Sequence, residues 1–172
     1  MEEQKKEEQT TGEESKKADL KESANKLEAL LDEYMVKKAP FALPTGVKEF
    51  IVAVAPYLTI IFAIMAIPII LAALGLSAFL TPFAMLGGFG YGLGWGFGMI
   101  VSLVVAVITL VMELMAVPGM FKRKKSAWRL LFYASIVSFI GGILSIHGIV
   151  GAIIGAIIGW YILFQVKDMY KN

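Results

Sequence analysis

Phe121-Lys122-Arg123-Lys124-Lys125-Ser126-Ala127-Trp128-Arg129 is the only dense cluster of charge between two long apolar blocks of this chain. Cytoplasmic loops of membrane proteins carry an excess of Lys and Arg close to the span ends. Lys122, Arg123, Lys124, Lys125 and Arg129 therefore place this loop in the cytosol beside the lipid headgroups, and divide the apolar part of the chain into two antiparallel hairpins.

Outward from that loop, apolar runs dominate. The chain is 58% apolar, above the roughly 45–50% of soluble domains. Its net charge of +2 conceals two opposed halves. Residues 1–38 hold eleven acids against eight lysines, net −3, and residues 39–172 hold three acids against eight bases, net +5. Bases beside apolar spans point to the lipid bilayer as their partner, not to nucleic acid. With no cysteine, disulfides and thiolate metal sites are excluded.

The sequence divides into four parts. Residues 1–17 are Glu, Lys, Gln, Thr and Ser with almost nothing apolar, which gives a disordered charged tail. In residues 18–38, Leu20, Ala24, Leu27, Leu31 and Tyr34 recur at alternating spacings of four and three, the seam of a cytoplasmic amphipathic helix. Its polar face mixes both signs of charge, so residues 18–36 suit a cytosolic protein or a second copy better than an anionic membrane surface. Residues 39–47, with Pro40 and Pro44, form a linker. Residues 48–172 form an all-α transmembrane domain.

Its spans fall at about 50–78, 86–117, 127–145 and 148–166. The first two are longer than a bilayer needs. Pro56 and Pro68 offer kinks in the first, and Thr81-Pro82 after Gly75 and Ser77 marks an uncharged outer turn. The turn around Ser145-Ile146-His147-Gly148 joins the last two spans. Four spans keep every Lys and Arg of residues 39–172 on one face and leave both opposite loops without any. The first apolar span then serves as an uncleaved signal anchor, in a multi-pass protein of the plasma or inner membrane with both termini in the cytosol.

Small residues pattern the spans. Gly88, Gly92 and Gly96 form one four-residue ribbon, and Gly90, Gly94 and Gly98 a second. Ala134, Ser138 and Gly142 in the third span match Gly151, Gly155 and Gly159 in the fourth. Such ribbons let helix backbones approach closely, so a leucine at Gly155 is expected to push helices apart. The alternation in residues 87–98 also suits an extended strand, but extended backbone facing lipid leaves its polar groups unpaired, which favours helix.

Residues for catalysis are scarce. His147 has no carboxylate near it in sequence, and one histidine makes no metal centre. The glycine-rich stretch lacks the Lys-Ser/Thr of a phosphate loop. No catalytic residue, cofactor-binding residue or metal ligand is assigned. Gly90-Tyr91-Gly92 resembles the Gly-Tyr-Gly core of potassium-channel selectivity filters, although Gly88 and Phe89 stand where that family has Thr-Val. As a whole the chain resembles small bacterial membrane proteins with a charged cytoplasmic tail and glycine-zipper spans.

Glu113 is the one acidic residue inside a span, and such residues either mark a transport path or sit near the boundary and pair with nearby bases. Two functions follow. One is a non-enzymatic membrane protein acting through helix packing, homo-oligomer assembly or partner recruitment; the other is a small oligomeric channel or transporter using the glycine-rich second span and Glu113. The topology is tested by a reporter fused after Asn172. Signal from the cytosol is expected, and signal from outside the cell contradicts the four-span reading.

Overall fold

The computed structural model describes the backbone of residues 2–39, 41–86, 89–144 and 149–171, and the side chains of 16–39, 41–76, 79, 98, 100–144 and 149–171. Every named element within them is helical. The chain divides into two units, Met1–Ala42 and Leu43–Asn172.

The first unit is one long helix, α1 (Glu2–Asp32), running into a π-helical turn, Glu33–Lys37. It begins at Glu2, within the stretch for which composition suggested disorder; Glu, Lys and Gln are good helix formers. Lys26 pairs with Glu22 at 2.7 Å and Lys38 with Glu33 at 2.7 Å. Both pairs are solvent-exposed, where such contacts contribute about 0–1 kcal/mol. Of the proposed seam, Leu20 and Tyr34 are exposed and Ala24, Leu27 and Leu31 half-buried.

The second unit contains α2 (Thr45–Leu86), α3 (Phe89–Phe121), α4 (Lys125–Leu144) and α5 (Ile149–Gln165). Among the described residues, four helices are long and apolar enough to cross a membrane, over Thr45–Leu76, Ile100–Phe121, Lys125–Leu144 and Ile149–Met169. The outer turn expected at Thr81-Pro82 is absent: α2 carries straight through it to Leu86. A proline inside a helix forfeits one hydrogen bond, whereas unwinding the helix in an apolar setting would expose several backbone groups. At 42 residues, α2 is about 63 Å long, roughly twice the hydrocarbon thickness. The glycine-rich stretch is helical from Phe89 onward, and Gly87, Gly88 and the turn at 145–148 with His147 lie outside the described residues.

α3 packs on α2, α4 on α3, and α5 on α4. Glycines set the closest approaches. A Cβ at Gly119 would lie 2.7 Å from that of Ala127, one at Gly141 2.6 Å from a Val105 methyl, and one at Gly142 2.5 Å from the Ala152 Cβ. By contrast, a Cβ at Gly151, Gly155 or Gly159 would meet nothing within 4 Å. The α5 glycine ribbon is therefore not what holds α5 to α4, and the expected effect of a leucine at Gly155 does not apply within one chain. Ala152, one residue along, makes the contact.

One end of the unit is tightly tied. α3 ends with Lys124 N–H donating to the Gly119 carbonyl at 2.8 Å and Arg123 N–H to the Met120 carbonyl at 2.9 Å, with Arg123 at φ 49°. This is a Schellman cap, with arginine in the left-handed position glycine usually takes. The left-handed conformation costs a non-glycine residue about 1–2 kcal/mol. Its charge gives a partial offset, because cations near a helix C-terminus complement the dipole. Beside it, Trp128, Phe132 and Phe164 are almost wholly buried. The Trp128 and Phe132 rings stack at 5.7 Å, and Phe164 meets them edge-on at 5.2 and 5.4 Å. The Trp128 indole N–H donates to the Leu163 carbonyl at 2.8 Å, one of the carbonyls a helix leaves unpaired at its C-terminus.

The chain after α5 folds back through a short 3-10 turn, Lys167–Met169, so that Lys125 N–H donates to the Lys171 carbonyl at 3.0 Å. Leu43 N–H donates to Oε1 of the buried Gln165 at 3.2 Å. The segment before α2, the basic α3–α4 loop and the C-terminus thus meet at one end.

Two results test this packing. Gly141→Leu is expected to destabilise the purified protein in detergent by about 1–3 kcal/mol, while Gly155→Leu stays within about 0.5 kcal/mol of the parent; equal losses contradict the assignment of the two glycines. Burial also pushes the Tyr170 phenol up, with Arg123 pulling the other way. Its proton is held more tightly in the folded chain than in the unfolded one, where tyrosine titrates near about 10, so stability falls as pH rises through that value. Melting midpoints taken between about pH 9 and 11 should decline less steeply in Tyr170→Phe than in the parent, and parallel declines contradict the burial of that hydroxyl.

Candidate functional site: a cleft at Glu113

The open glycines of α5 are not on a featureless surface. They form one wall of a cavity of about 280 Å³ whose other wall is α4 and whose edge is Glu113 of α3. Along α5, Gly151, Gly155 and Gly159 recur every four residues and so share a face, and the missing side chains create the width. Along α4, Ala134, Ser135, Ser138 and Phe139 face the same space. The cleft narrows where Gly142 meets Ala152. Further along, the Trp160 indole N–H donates to Ser135 Oγ at 2.8 Å and its ring packs on Phe139 at 5.2 Å.

The polar groups of this cleft are unequally satisfied. Ser135 donates to the Phe132 carbonyl at 2.6 Å while accepting from Trp160, so it serves mainly to fix the indole. Ser138 is exposed to the cleft and makes no hydrogen bond among the described residues. Glu113, half-buried, has no hydrogen-bond or ion-pair partner among them either. The pairing of Glu113 with the basic loop expected from their closeness in sequence does not form. Glu113 lies eight residues before Phe121, the last residue of α3, hence about 12 Å along the axis from the loop. Ser138, thirteen residues after the start of α4, lies about 20 Å from the same end.

The other small-residue positions separate in the same way. Ala134 is buried and Gly142 is in contact with α5, so the α4 ribbon is used within the chain. Gly90, Gly92, Gly94 and Gly96 lie in the opening turns of α3, Gly98 has open space beside it, and Gly88 falls outside the described residues. Since Gly90, Tyr91 and Gly92 are helical, their carbonyls point along the helix toward N–H groups four residues on and do not form the free carbonyl ring of a selectivity filter. Lys122, Arg123, Lys124, Lys125 and Arg129 remain at the tied end, where Lys125 and Trp128 anchor the C-terminus. Lys167 Nζ lies over the Trp128 ring at 5.1 Å. Gly119, Gly141 and Ser135 were not singled out from sequence. Only Ser135, next to Ala134 on the α4 ribbon, carried a signal that could have found it.

Among the described residues, no three His, Cys, Asp or Glu side chains come together as a metal site. Chemically, the cleft offers one carboxyl group, one free hydroxyl and two aromatic rings in an otherwise apolar wall. Comparison of the chain with protein-family models, with curated proteins and with solved structures found no match.

Proposed function

We propose that this is a small, non-enzymatic integral membrane protein of two antiparallel hairpins, both termini cytosolic, that handles a cation through the cleft at Glu113. Support for the arrangement comes from the helix contacts. Between Gly142–Ala152 and Ser135–Trp160 the partner advances along α5 as the position recedes along α4, as the antiparallel helices of the second hairpin require. Support for the orientation comes from the gathering of the basic loop and the C-terminus at one end.

The observation that carries the function is the unpaired Glu113 carboxyl at the edge of an open cavity. An ionised carboxylate without a partner in hydrocarbon is too costly to persist, so Glu113 carries either a proton or a cation. The spans contain no Lys or Arg between Lys48 and Lys122, or between Arg129 and Lys167, so neither this chain nor a second copy supplies an intramembrane positive charge. The neutralising charge comes from outside the protein.

Assembly is the second reading, favoured by the same open ribbon: Gly151, Gly155 and Gly159 form a face that the chain's own helices leave unfilled. A helix from a second copy fits such a face, and residues 18–36 would recruit a cytosolic protein. The two readings give different results in one preparation. In vesicles containing the purified full chain, we expect proton or monovalent-cation flux that falls to the level of empty vesicles in Glu113→Gln. Flux absent from the parent, or equal in the variant, contradicts cation handling. A defined oligomer by light scattering that dissociates in Gly155→Leu supports assembly.

A further inference from the structure

The walls of the Glu113 cleft also indicate what kind of cation it suits, an inference that rests on the cation-handling reading and narrows it. We propose that the ligand is an amphipathic organic amine, its protonated nitrogen on Glu113 and Ser138 and its apolar body against Phe139 and Trp160, entering sideways from the bilayer.

Ligand count argues against a bare hard ion. Calcium takes about six to eight oxygens and magnesium a near-ideal octahedron. Here the oxygens are the two of Glu113, the Ser138 hydroxyl, and Ser135 Oγ, which already donates once and accepts once. An ammonium group asks for less. It presents up to three N–H donors, which a carboxylate and a hydroxyl can accept, and charge-assisted bonds of this type are the strong ones. Size points the same way: a space of about 280 Å³ far exceeds one ion and leaves room for a body of several carbons.

The surfaces beyond the polar groups are matched to that body. Leu131, Ala134 and Ala156 line the cleft with carbon, and Phe139 and Trp160 present aromatic rings fixed by their mutual contact and by the bond to Ser135. Ring faces attract cations as well as alkyl groups. Next to Gly155 and Gly159 in sequence, Ile154 and Ile158 are exposed, so in a bilayer the medium outside is acyl chain and the ligand dissolves there first. An amine with a hydrophobic body partitions into that medium, and a hydrated inorganic ion does not.

The test uses the purified full chain in detergent, with 4-phenylbutylamine as the probe and 4-phenylbutanol as its uncharged counterpart, by equilibrium dialysis against empty micelles. Saturable binding of the amine at one per chain is expected, with no saturable binding of the alcohol. Glu113→Gln should weaken the amine by about tenfold or more. Gly155→Leu, which fills the cleft without touching a packed contact, should abolish it while leaving the melting temperature in place. Ser138→Ala should weaken binding by a smaller factor and provides the readout if Glu113→Gln fails to fold. Equal saturable binding of the alcohol, an unchanged affinity in a folded Glu113→Gln or Gly155→Leu variant, or no saturable amine binding overturns the proposal. Glu113-dependent flux of inorganic cations without amine binding would sink this inference alone, leaving cation handling intact. Amine binding without flux would retain the site and remove transport.

Discussion

The hydrogen bond from the Trp128 indole to the Leu163 carbonyl joins the start of α4 to the end of α5, and the rest of the helical unit is arranged around that junction. It satisfies a carbonyl that α5 would otherwise leave unpaired, and it locks the ring that Phe132 and Phe164 enclose. The same few residues hold the C-terminus, because Lys125 just ahead of Trp128 donates to Lys171. Leu43 reaches Gln165 one turn away, so the beginning of the unit is tied there too. Away from this end the helices rely on glycine contacts to stay close. Where those contacts stop, between Gly142 and Trp160, α4 and α5 part and the cleft opens.

That the apolar part of the chain forms four long helices was legible because it follows from a one-dimensional constraint; the start of α1 at Glu2 and both ends of α2 were not. Apolar runs long enough to cross hydrocarbon, punctuated by charge, leave few other choices. The error at Thr81-Pro82 has a physical origin: proline signals a turn in water, where solvent satisfies the freed backbone, but in an apolar run one lost bond is cheaper than an unwound turn. The choice of helix for the glycine-rich stretch rested on the same backbone requirement, and the backbone from Phe89 is helical.

The cleft was only partly legible. Spacing identified Gly151, Gly155 and Gly159 as a ribbon, but periodicity gives a face and not what the face meets. Whether that face packs depends on the angle between α4 and α5, which is set elsewhere, by Gly142 against Ala152 and by Trp160 on Ser135. Glu113 illustrates the same limit. In sequence it is close to five bases, yet the helix carries it about 12 Å away from them, so proximity along the chain did not become an ion pair. An unpaired acid and an unfilled ribbon, each ambiguous alone, acquire a joint meaning once both line one cavity.

That Glu113 and Ser138 lie within the bilayer, beside acyl chains, is the claim on which the functional reading stands. The chain contains no cysteine, so Ser138→Cys gives a single attachment site for a nitroxide spin label in reconstituted vesicles. Electron paramagnetic resonance then compares collisions with oxygen, which concentrates in hydrocarbon, against collisions with a water-soluble nickel chelate. We expect the label at residue 138 to be accessible to oxygen and shielded from nickel. Accessibility dominated by nickel would put the cleft in water and contradict lateral entry from the bilayer.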